Sequence, residues 1–219
     1  MSSTSRVLNT EVVFDVALEA AKNITAPLRT GGQRPALISI VFAAMSLEAF
    51  LNELIELAQD YDDYVDPLPA ISSFALLMSD LEKVQGSVET RFNMAHWLLT
   101  GRPFAKGEQP FQNFKLLFQL RNDLMHFKPD PLMEEGEPKP TLGIISKLHG
   151  LGILNDSPAP DSNRSWVHVL GTRAVAEWAC NTTSRMTTDI VSKLPESGWK
   201  HTVEEVTKVI RTIHFPARQ

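Results

Sequence analysis

Prolines cut this chain into pieces, and inside the pieces apolar residues recur every three to four positions. Pro27, Pro35, Pro69, Pro110 and Pro195 fall at the ends of such pieces, where a helix tolerates a residue without an amide hydrogen. No stretch sustains the period of two that a half-buried strand needs. The pattern predicts an all-α protein, an up-and-down helical bundle. Helices are expected over about 11–28, 35–60, 68–84, 87–99, 110–127, 141–151, 165–194 and 202–213. Between them lie polar or proline-rich connections, chiefly 61–69, 129–140 and 155–163. The 219 residues are expected to form one domain, with a core over about 10–195 and a C-terminal helix over about 202–213. A chain of this length buries a sizeable core without disulfides or a structural metal.

Cys180 is the only cysteine, which excludes an internal disulfide and a cysteine-based zinc site. The N-terminal stretch MSSTSRVLNTEVVFD lacks the apolar core of a signal peptide. The greasiest run, Ala36 to Met45, is shorter than the roughly 20 residues of a spanning helix. A soluble protein of the cytoplasm is the expectation, with no membrane partner. The sequon at Asn181 then carries no glycan.

The net charge is −5, against broad, non-specific binding of nucleic acid. The charge is unevenly spread. Between Gly101 and Lys128, five cations (Arg102, Lys106, Lys115, Arg121, Lys128) face two carboxylates, Glu108 and Asp123. That local excess is either a chance fluctuation or the footprint of an anionic ligand.

The same segment holds LLFQLRNDLMHFKP, Leu116 to Pro129. At about 100° per residue, Gln112, Lys115, Gln119, Asn122 and His126 form one polar stripe. Arg121 falls instead among Phe114, Leu117, Leu124 and Met125, where an unpaired cation is costly. On the 35–60 helix the expected solvent face is Ser39, Ser46, Glu53 and Asp60. Glu48 and Asn52, neighbours at i and i+4, stand on another side beside apolar residues. The simplest complementarity pairs Glu48 with Arg121, helped by Asn52. Either this is a buried ion pair that locks helix register, or it orients Arg121 at a cleft.

Arg121 and His126 differ in direction by about 140° on an ideal helix. They border one groove only if the helix ends nearby or a second copy packs against it. Histidine and arginine suffice for RNA transesterification without a metal or other cofactor. Histidine takes the proton from a ribose 2′-OH or returns one to the leaving 5′-oxygen. Arginine neutralises the phosphate as charge builds. Asn122 is placed to fix the ring or bond a phosphate oxygen, and Lys115 and Lys128 to bind substrate. The need for a 2′-OH makes RNA the substrate class.

RNDLMH, Arg121 to His126, resembles the Arg-polar-x3-His signature of HEPN domains (higher eukaryote and prokaryote nucleotide-binding). The apolar helix late in a helical domain, and the earlier SLEAFLNELI with its acidic residue and asparagine, are similar to bacterial members. The resemblance covers about Val12 to Phe127 and extends to the helix beginning at Ser165. It implies a homodimer through the motif helices, bringing two copies of Arg121 and His126 into one cleft. It implies a metal-independent endoribonuclease of toxin–antitoxin or phage-defence systems, with an antitoxin or nucleotidyltransferase partner. Members without activity imply the alternative, a non-catalytic dimeric binding module. Some toxins carry a modified tyrosine two residues after the histidine; Lys128 stands there in this chain.

Other motifs carry less. The acidic run Asp60, Asp62, Asp63, Asp66 lacks the glycine and glutamate of a calcium loop. His96, His149, His168, His201 and His214 show no metal spacing. No phosphate-binding glycine loop or nucleophile elbow is present. The four tryptophans read as core and interface anchors.

Overall fold

The computed structural model describes residues 9–24, 33–64, 68–105, 107–126, 141–154 and 166–216. Every regular element among them is a helix, as the periodicity predicts. In chain order these are α1 (Asn9–Lys22), α2 (Gln33–Tyr64), α3 (Pro69–Lys83), α4 (Val88–Thr100), α5 (Phe111–Met125), α6 (Thr141–Gly150), α7 (Trp166–Leu170), α8 (Arg173–Val191), α9 (Gly198–Val206) and α10 (Lys208–Thr212). The expected connections 129–140 and 155–163 lie outside the described residues.

Helix α2 is the centre, packed by α1, α3, α5, α8 and α9. Ala36, Ala43, Ala44 and Ala58 are fully buried along it, and small side chains let its neighbours approach. This overturns the expected solvent face. Ser39, Ser46 and Glu53 are buried, and each is satisfied inside the bundle. Ser39 Oγ donates to the Ala176 carbonyl (3.4 Å), and Ser46 Oγ to its own helix at Ala43 (2.8 Å). Glu53 accepts from the Asn9 amide, the Thr10 amide (3.0 Å) and the Thr10 hydroxyl. A carboxylate of α2 therefore caps the start of α1, where free amides and the helix dipole favour negative charge. The exposed line of α2 runs instead through Arg34, Ile38, Met45, Glu56 and Gln59.

The stretch Arg34–Tyr61, 28 residues, is long and apolar enough to cross a membrane by length and composition. The ten-residue run considered in the sequence understated it. Here that stretch is the core helix of the bundle, with Ile40, Leu47, Leu51 and Leu54 at its centre.

Two more boundaries differ from expectation. The 165–194 helix is broken: Thr172 is extended (φ −105°, ψ 152°) and its hydroxyl accepts from Val175, starting α8 afresh. The last helix begins earlier, at Gly198 with Ser197 as its cap, and is interrupted at Thr207. Thr183 of α8 donates to the Ala43 carbonyl (2.9 Å). With the Ser39 contact, this sets α8 running in the same sense as α2. Asn181 clamps the segment after α10, donating to the Phe215 carbonyl (2.9 Å) and accepting from its amide (2.8 Å).

Candidate functional site: a mixed-charge cleft beside helix α5

An aromatic chain seats α5. Phe114 packs on Phe92 of α4 (centroids 4.7 Å apart) and on Phe118 (4.8 Å), and Phe92 reaches Phe50 of α2 (6.5 Å). At its start Phe111 stacks on Phe104 (4.5 Å), which covers His96 (3.9 Å). Phe111, Phe114, Leu117 and Leu120 are buried, while Gln112, Gln119, Asn122 and His126 are exposed. The wheel drawn from the sequence holds, except that Met125 is 59% exposed at the helix end.

Arg121 meets Glu48 across the α2–α5 contact, Nη2 lying 3.2 Å from Oε1. The two side chains are 25% and 29% exposed, so the pair is half-buried rather than fully enclosed. Arg121 Nη1 also donates to the Asn122 carboxamide (2.9 Å), while its Nε is buried without a partner among the described residues. Two expected roles change here. Asn122 holds Arg121, not the histidine ring. Asn52 does not reach Arg121: its carboxamide oxygen accepts from Arg91 Nη2 of α4 (2.6 Å). Arg91 is 8% exposed and also lies 3.7 Å from Glu82. Sequence reasoning missed it, though the wheel that exposed Arg121 finds it too: Arg91 shares the buried face of α4 with Ala95.

Arg121 lines a cleft of about 790 Å³ between α2, α4, α5 and α6. Lys115 lines it as well, paired with Glu89 of α4 at 2.9 Å. Lys147 and Leu151 close the far side. Lys147 was not expected, because nothing in the sequence ties a short helix beyond a proline-rich segment to this place. His126 stands just past the last helical residue, its amide still bonded to Asn122 (2.9 Å). Its ring is exposed, does not line the cleft, and has no partner among the described residues. One chain therefore brings together Arg121, Asn122, Glu48 and Lys115, and leaves His126 and Asn52 apart from them. Lys128 lies outside the described residues.

Among the described residues no three His, Cys, Asp or Glu side chains group as a metal site. The run Tyr61–Tyr64 continues α2 and forms no loop. His96 is satisfied by the Arg102 carbonyl (2.8 Å), and burial lowers its basicity. Burial pushes the Cys180 thiol up to about 11. Comparison with family models, with curated proteins and with solved structures finds no match to this chain.

Proposed function

We propose that this chain is a HEPN-type endoribonuclease that acts as a cytoplasmic homodimer. The observation that carries the reading is the setting of Arg121. It is held by Glu48 and Asn122 at the wall of an open cleft, five residues before an exposed imidazole at the end of the same helix that has no partner among the described residues. In the dimer, α5 of a second copy supplies the His126 that one chain leaves outside the cleft. The ribose 2′-oxygen attacks phosphorus, its proton passing to one His126. The P–O5′ bond breaks, and the leaving oxygen takes a proton from the other His126. The products are a 2′,3′-cyclic phosphate and a 5′-hydroxyl. Arg121 stabilises the charge on the phosphate oxygens. A growth-arrest or defence role, with an antitoxin or nucleotidyltransferase partner, follows from family analogy alone.

The test is RNA cleavage by the purified chain in EDTA. His126→Ala is expected to slow cleavage by about 10²–10⁴-fold, and Arg121→Ala by about 10²–10³-fold. Wild type cutting no faster than both variants refutes the enzyme reading. A second reading, a non-catalytic HEPN-like binding module, is favoured by one observation: both α5 cations in the cleft already carry carboxylate partners. It predicts that ligand binding survives His126→Ala while no cleavage is seen in any form.

A further inference from the structure

The two ion pairs in the cleft are not equivalent. Glu48–Arg121 is half-buried, with side chains 25% and 29% exposed, whereas Lys115 and Glu89 are 41% and 49% exposed. An exposed pair contributes little to stability, so a phosphate displaces Glu89 from Lys115 at little cost. Lys147 faces the same cleft from α6 and has no ion-pair partner among the described residues. Ile144 and Leu148 anchor the α6 backbone in the core on either side of it, and its side chain is exposed. It lies in the last turn of α6, where the helix dipole favours a cation.

We infer that Lys115 and Lys147 form a phosphate subsite that holds the RNA strand beside the phosphate at Arg121, and that Glu89 occupies this subsite until RNA displaces it. The inference rests on the ribonucleotide-binding reading above and adds two residues to it. Lys147 is a binding residue. Glu89 is an internal competitor whose removal strengthens binding.

The test is anisotropy of fluorescein-labelled oligouridine, titrated with protein in a His126→Ala background over about 50–200 mM salt. Each phosphate contact adds about 0.7 to the log–log salt slope for single strands, equivalent to about fivefold in affinity at about 0.1 M salt relative to 1 M. Lys147→Ala is expected to weaken binding about fivefold and to flatten the slope by about 0.7. Glu89→Gln is expected to tighten binding severalfold, and Lys115→Ala to abolish that gain in the double variant. Unchanged affinity and slope in Lys147→Ala and Glu89→Gln, with wild-type binding intact, overturn this inference and leave the parent reading standing. No binding of the oligonucleotide by any form overturns both. Inorganic phosphate competing as well as the oligonucleotide marks the subsite as a single-anion site and overturns the strand assignment.

Discussion

At the scale of single residues, the Glu48–Arg121 pair joins sequence to site. Its energy lies between that of an exposed pair, below about 1 kcal/mol, and that of a broken buried pair, about 3–5 kcal/mol. Among the described residues, Glu48→Ala leaves the guanidinium with Asn122 alone and its Nε still unpartnered. Urea unfolding is expected to show a loss of about 1–2 kcal/mol, while His126→Ala, at an exposed ring, leaves the midpoint unchanged. His96 behaves differently. Its folded-state basicity is lowered chiefly by desolvation, which outweighs the opposing bond to the Arg102 carbonyl. The unfolded chain therefore binds more protons just below about pH 6.5, and stability falls as pH drops through that window. Urea midpoints at about pH 7.5 and about pH 5.5 are expected to differ less in His96→Asn, which keeps a donor for Arg102 and does not titrate. An equal drop in both proteins assigns the effect elsewhere. Cys180, with its thiol near 11 and fully buried, is expected to resist maleimide until the chain is unfolded.

At the scale of elements, periodicity located the helices and misjudged which way the central one faces. The Arg121 pairing was readable because a lone cation among phenylalanines and leucines demands an anion. The buried state of Ser39, Ser46 and Glu53 was not, because a polar stripe reads as solvent-facing until the partners are known. Those partners are mostly backbone groups of α1, α2 and α8, which leave no trace in residue type; the Thr10 hydroxyl on Glu53 is a side-chain partner. The break at Gly171–Thr172 was hidden for a related reason: a capping threonine inside an apolar run looks like one more helical position. Glu53 gives the sharpest test here. Glu53→Ala removes the acceptor of two α1 amides and a hydroxyl, and is expected to cost about 1–2 kcal/mol. Hydrogen exchange at the α1 amides should accelerate before that at the α8 amides. Uniform exchange through both helices contradicts the cap.

At the scale of the whole molecule, one chain does not bring both Arg121 and His126 to the cleft. Arg121 lines the cleft, and His126 does not, in keeping with the angle of about 140° between the two positions on an ideal helix. The ribonuclease reading proposes that a second α5 brings an imidazole to the guanidinium, so assembly is the point on which it turns. Met125 lies beside His126 and is 59% exposed, and Val84, at the end of α3, is 74% exposed. With Cys180 buried, single cysteines at these two positions report which face meets its copy. The decisive measurement is cross-linking by a short bismaleimide at the protein concentration used for cleavage. Met125→Cys is predicted to form a covalent dimer rapidly, and Val84→Cys to remain a monomer. Equal, slow cross-linking at both positions contradicts a site shared between two α5 helices.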